Sequence, residues 1–322
     1  MKKLFFAAIA IAALASCNND QVINFDKFPI NFGDAFVDNA TKALYDDANH
    51  VKEFKVWGNV KGTNDPPVAI YNGDTVEDAS GTYATKIWEQ TSGTVQYWIP
   101  ACTYNFYAIV DANTVDASNG APTKIHYTTN ANGDNDLLYG AVTGVVTTAD
   151  SVPSGGAGIV TINSTPVVSF TLGHLLSKIQ FKFTNGSGAY SYNVKDVTVE
   201  GVKINGEYTI SDGKWAYATN AGNATLSFGN VAGTITNGAN ASAANACVIV
   251  PGEQTLTLKF NAEVVVGEPV STIQFTKSLT HTFDKNTSYV VNVTLPAPGQ
   301  EIQFSISTVG DFGNGGEVDV NL

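Results

Sequence analysis

The sequence predicts an all-β protein made of two antiparallel β-sandwiches, one in each half of the chain. Three observations carry this. The composition is rich in Gly, Ala, Asn, Thr and Val, and only 14% of the 322 residues are charged, a mix suited to pleated sheets and tight turns. Apolar residues alternate with polar ones at period two in segment after segment. These segments follow one another with no helical pattern between them, which argues against a βαβ architecture. The domain organisation expected is a leader over residues 1–16, a first sandwich over 17–160 and a second over 161–322.

In the first half, Val22-Ile23-Asn24-Phe25 and Ile30-Asn31-Phe32 are short strand patterns. Residues 34–50 carry few strand signals and suit a loop or a helical turn. From Phe54 onward FKVWGNV, TVQYWIP, NFYAIVD and DLLYGAV each hold aromatic or β-branched residues bounded by Gly, Asn, Asp or Pro. Ser151–Gly158, SVPSGGAG, is the expected linker. In the second half, KIQFKFT places Ile179, Phe181 and Phe183 on one face and Lys178, Gln180 and Lys182 on the other. Asn205-Gly206 within VKINGEYTI is a hairpin signal, because a type I′ turn needs positive φ twice. Asp212-Gly213 within YTISDGKWAY is a second. TLTLKFNAEVVV, SYVVNVTL and EIQFSISTV all alternate. GHLLSK alone has helical character, and it is too short to stand by itself.

The N-terminus has a separate logic. Lys2 and Lys3 precede an apolar run from Leu4 to Ala15, far short of the roughly 20 residues that span a bilayer, so the run is a signal-peptide core. It ends in Leu14-Ala15-Ser16-Cys17, which resembles a bacterial lipobox. Small residues there let a peptidase seat the backbone, and the Cys17 thiol accepts lipid. Loss of residues 1–16 removes two of the 17 basic residues and no acid, so the mature chain carries 15 − 29 = −14. Two or three acyl chains, at about 0.8 kcal/mol per buried CH₂, hold firmly to an outer membrane.

The chemistry of catalysis is sparse in this chain. The net charge of −12 speaks against nucleic acid, since phosphate binding needs clustered cations. Every basic residue is lysine, so there is no bidentate arginine clamp. Cys102 and Cys247 sit in apolar stretches as buried unpaired thiols, and no Cys/His spacing suggests zinc. His174 reads as a core or cap histidine. His50, His126 and His281 lack carboxylate or cysteine neighbours at ligand spacing. Asn130, Asn132, Asp134 and Asp136 alternate like part of a calcium loop but lack its terminal Glu, so a polar turn is the better reading. Trp57, Trp88 and Trp98 suit core packing more than a sugar platform. Asp74-Thr75-Val76 and Asp150-Ser151-Val152 look like short O-glycan acceptors, a match that arises easily by chance. GxSxG and HExxH do not occur. No enzyme activity, cofactor or metal is expected.

An ordered series of motifs gives the chain a family resemblance. Thr41-Lys42-Ala43 precedes Phe54-Lys55-Val56-Trp57-Gly58. Tyr97-Trp98-Ile99-Pro100 leads into Tyr104-Asn105-Phe106-Tyr107-Ala108. Asp136-Leu137-Leu138-Tyr139-Gly140 follows, then FTLGHLLSKIQFKF, then Phe283-Asp284-Lys285-Asn286-Thr287-Ser288-Tyr289. Together they resemble the fimbrillin lipoproteins (type V pilins) of Bacteroidales. The resemblance implies tandem transthyretin-like sandwiches, display at the cell surface, and fimbriae assembled by strand exchange. There a protease removes the first strand, and a neighbouring subunit donates another into the groove.

The family's cut commonly follows arginine, which this chain lacks. Lys42, and less plausibly Lys27, are the alternative sites; otherwise the chain stays acylated as an anchor. The removable segment expected is QVINFDKFPINF, with Ile23, Phe25, Ile30 and Phe32 pointing inward. The expected donor is EIQFSISTV, through Ile302, Phe304 and Ile306, or EVDVNL, through Val318, Val320 and Leu322. The alternative is that both ends are ordinary strands of their own sandwiches. Partners implied are other fimbrial subunits, the outer membrane through the lipid, and host or bacterial surface ligands. A monomeric glycan-binding or adhesin lipoprotein is the competing function. A hydrolase would require two carboxylates about 5–10 Å apart in a cleft.

Overall fold

The computed structural model describes residues 28–37, 51–78, 87–218, 223–266, 268–311 and 318–321. Among them every regular element is a strand. The first sandwich is an eight-stranded sheet. Its strands are β1 (Asn31–Val37), β2 (Glu53–Lys61), β3 (Val68–Glu77), β4 (Glu89–Gln90), β5 (Thr103–Val110), β8 (Leu138–Val146), β9 (Ile159–Ile162) and β10 (Thr165–His174). The order is β1-β10-β8-β5-β2-β3-β4, with β9 on β10. Bridges Phe32↔Trp88 and Pro29↔Tyr97 bring the β4 side back to β1, so the sheet curls nearly shut around one core. Aromatic and β-branched residues of β2, β3, β5, β8 and β10 fill that core.

The second sandwich faces two sheets across a core built from Phe181, Phe183, Leu258, Phe260, Val291 and their neighbours. One sheet contains β11 (Ser177–Asn185), β16 (Asn240–Ser242), β17 (Cys247–Ile249), β20 (Thr287–Leu295), β21 (Gln303–Asp311) and β22 (Val318–Asn321). The other runs in the order β15 (Asn223–Gly229), β12 (Ser191–Lys203), β18 (Gly252–Val266), β19 (Glu268–Phe283). Ile179, Phe181 and Phe183 are buried and their lysine and glutamine neighbours half-buried, as the alternation requires.

A third sheet joins the halves. It comprises β6 (Thr114–Ser118) and β7 (Ala121–Thr128) from the first half and β13 (Asn205–Thr209) and β14 (Lys214–Tyr217) from the second, in the order β14-β13-β7-β6. It has its own core, including Trp57, Ile125, Tyr127, Leu175, Leu176, Tyr208 and Val250. Tandem sandwiches alone do not describe this molecule: a shared sheet welds them.

Several local expectations change. Asn205-Gly206 is not a hairpin turn. Both residues lie within β13, where Gly206 pairs with Tyr217 and Tyr127. A Cβ there would lie 2.6 Å from Val250 Cγ1 and 2.8 Å from the Trp215 ring, so close approach, not positive φ, calls for glycine. Asp212-Gly213 does turn β13 into β14, with Gly213 at φ +66°. Residues 34–37 continue β1 rather than forming a loop, while 38–50 lie outside the described residues. TVQYWIP pairs only at one bridge. GHLLSK is the end of β10 and the start of β11, without a helix. Ser151–Gly158 is a loop between β8 and β9 within the first sheet, so by strand pairing the first sandwich runs on to His174, past residue 160. Two pairs are parallel in otherwise antiparallel sheets, β1 with β10 and β11 with β20.

Candidate functional site: the slot of the first strand

β1 pairs with strands far along the chain. Asn31 and Phe32 run parallel to Val167 and Val168 of β10, a bulge follows, and Ala35 resumes opposite Phe170. On the other side the backbone is held by residues 88–98. The Ile30 amide donates to Gln96 O at 2.8 Å, the Trp98 amide to Phe28 O at 3.1 Å, and the Trp88 amide to Phe32 O at 2.8 Å. The strand therefore sits as a wedge between β10 and an irregular wall. It shares no hairpin with a sequence neighbour among the described residues, because parallel partners need a long connection.

The side chains explain why it stays there. Ile30, Phe32 and Ala35 are buried, Phe32 at 1% exposure. Phe32 meets Tyr71 at 5.3 Å, Phe106 at 6.0 Å and Phe54 at 6.3 Å edge-on, and stacks on Phe170 at 6.2 Å. Phe54 in turn contacts Trp88 at 5.3 Å. Edge-to-face pairs of this kind stabilise beyond their area. Burial, with help from Asp74, pushes the Tyr71 phenol well above its ordinary range, so this wall of the slot stays neutral.

Of the expected removable residues, Ile30 and Phe32 occupy the slot; Ile23, Phe25, Lys27, Lys42 and Cys17 lie outside the described residues. Sequence reasoning missed the receiving walls, Tyr71, Trp88 and Phe170. Their rings belong to segments far apart in the chain, and core packing was legible for Trp88 alone. At the other end, Ile306 pairs with Val291 and is fully buried, Ile302 is buried, and Phe304 packs half-buried. Val318 and Val320 lie in β22, which adds to β21 over four residue pairs; Leu322 lies outside the described residues.

The other sequence candidates resolve as packing. His174 Nδ1 and Asp136 Oδ2 lie 2.6 Å apart, both side chains fully buried, beside the joint at Leu175. Asp136 therefore serves this pair and not a calcium loop, while Asn130 bonds to Asp134 across a polar turn. Among the described residues no group of three His, Cys, Asp or Glu is placed to hold a metal. Trp57, Trp88 and Trp98 are buried. Cys102 and Cys247 are free thiols, and burial pushes the Cys247 thiol up to about 12.

The Fimbrillin-like family model matches residues 41–311. The chain belongs to the fimbrillin-like family. The match begins at Thr41, after β1. Among solved structures, a fimbrial protein from Bacteroides vulgatus is similar at a TM-score of 0.57 and 13% identity, covering 87% of this chain and 99% of that one. A candidate cell adhesion protein from Bacteroides ovatus gives 0.54 and 16%, covering 88% and 97%. At such identity these likenesses speak for the shared fold. The comparison with curated proteins gave no match.

Proposed function

We propose that this chain is an exported lipoprotein, acylated at Cys17 and displayed on the outer membrane. It acts as a structural and adhesive subunit of surface fimbriae, as stalk, anchor or tip, assembled by β-strand exchange. One observation carries the reading: β1 is a separable wedge in an aromatic slot. Removing it would expose a groove walled by Phe54, Tyr71, Trp88, Phe106 and Phe170, with the β10 backbone open from Val167 to Leu172. Such a groove is costly to leave empty and accepts an extended segment with apolar side chains at alternate positions. The C-terminal segments Ile302–Ile306 and Val318–Leu322 have that pattern. The short outer strand β22 is the cheaper of the two to release, because it pairs over only four positions.

The fimbrillin-like family and the fimbrial relative support subunit partners and the cell surface as location. Lys42 fits the processing step better than Lys27. A cut after Lys42 removes β1 entire, whereas a cut after Lys27 leaves it in place. N-terminal analysis of protein sheared from cells tests the reading. A start at Ala43 supports polymer-forming maturation; an acylated Cys17 in assembled fibres excludes it and leaves the anchor role.

The competing glycan-binding reading is favoured only by an open cleft of about 830 Å³ lined by Lys52, Lys55, Trp57, Asp111 and Asn113 among others. Trp57 is 6% exposed there, too little to stack on a sugar ring.

A further inference from the structure

We propose that one end of the first sandwich is a membrane-contact surface, an apolar stripe that rests in the interface of the bilayer to which the chain is tethered. The inference rests on the lipid attachment at Cys17 proposed above.

Its core is the irregular segment Thr94–Pro100. There the usual economy of a water-facing segment is reversed. Trp98 turns inward and Gln96 is half-buried, while Val95, Tyr97 and Ile99 turn outward with 49%, 44% and 37% of their surface exposed. The segment is fixed, not loose: Gln96 O and the Trp98 amide bond to Ile30 and Phe28, and Ile99 O accepts from Thr147 Oγ1 at 2.6 Å. Val146, next to that threonine, is 60% exposed and extends the apolar surface. No residue from Thr91 through Val110 is charged. Contiguous exposed apolar side chains held rigidly on a soluble fold mark a contact surface.

The position of the tether selects the occupant. The stripe lies directly against Phe28–Ile30, eleven residues after Cys17. Eleven residues reach at most about 40 Å. An acyl group at Cys17 therefore keeps Phe28–Ile30, and the stripe bonded to them, within about 40 Å of the bilayer. Tyr and aliphatic side chains are those that favour the headgroup boundary. With a mature net charge of 15 − 29 = −14 the chain gains nothing from anionic headgroups, so the contact is apolar and does not require them. Lipid and stripe together form a two-point attachment.

The test couples the mature chain through Cys17 to a maleimide-bearing lipid in phosphatidylcholine vesicles, so that it does not depend on acylation in the cell. Tryptophan is introduced by Tyr97→Trp or, in the second sandwich, by Thr276→Trp. Lipids brominated near the headgroup should quench the emission added by Tyr97→Trp several-fold more than that added by Thr276→Trp. The difference should appear in neutral lipid and should not require anionic lipid. Equal quenching of the two on protein that floats with the vesicles would overturn the proposal. So would a concentration-dependent dimer of the uncoupled chain that buries Tyr97, since the stripe would then serve a second copy. Mass analysis of Cys17 from cell envelopes reads the acylation separately.

Discussion

Phe32 touches four aromatic rings that come from four different strands. Phe32→Ala should therefore cost about 3–5 kcal/mol, the range for a buried aromatic truncated in a packed core, read as a lower urea midpoint. Truncating a half-exposed residue of the same strand, such as Asn31→Ala, should cost well under half of that. His281 offers a second test. Burial lowers its pKa below the ordinary value of 6.5, and Asp284 opposes the shift only in part. Its ring packs 5.0 Å from Phe283 and 5.3 Å from Tyr289. Below pH 6.5 the unfolded chain binds a proton that the folded chain resists, so stability is full above that pH and declines as pH falls toward the depressed value. The thermal midpoint should drop between pH 7 and 5.5, and His281→Gln should flatten that part of the profile.

In the proposed function, β1 is the element on which assembly turns. It combines two properties that seldom meet: deep burial of its inward side chains and no hairpin tie to a neighbour among the described residues. The first makes the folded subunit stable before assembly. The second lets one cut free the whole strand. Limited digestion with a lysine-specific endoprotease should give a fragment beginning at Ala43, and Lys42→Gln should abolish that product while sparing the rest of the digest. The cut chain should bind an added peptide of the sequence EVDVNL or EIQFSISTV, and Phe170→Ala should weaken that capture by tenfold or more, since it removes a wall ring. Capture of neither peptide would leave the donor outside the C-terminal segments.

The shared sheet sets the behaviour of the whole molecule. β7 pairs with β13, with β6 and β14 at the outer edges of the sheet, and the core beneath them is hydrophobic. Inter-domain interfaces of that kind suppress hinge motion. The described halves should unfold in one calorimetric transition, not two. Val250→Ala, which deletes methyls facing Trp215 and Gly206, should cost about 2 kcal/mol and lower the single midpoint without splitting it. In the proposed fibre, such a subunit would carry tension through three packed cores.

The sequence by itself determined the class of the fold, the faces of strands such as β11, and the likeness to fimbrillins. Those features are local: a two-residue period records which side of a strand is wet, and a motif records its own order. Ile30 and Phe32 were legible as inward residues for the same reason. Only the tertiary structure decided which rings receive Phe32, that β1 runs parallel to β10, that Gly206 answers to the Trp215 ring, and that His174 meets Asp136. It also decided that a third sheet joins the halves. Each of these depends on residues tens of positions apart meeting in space. Packing of that range leaves no periodic trace along the chain, because either partner alone reads as an ordinary apolar or polar residue.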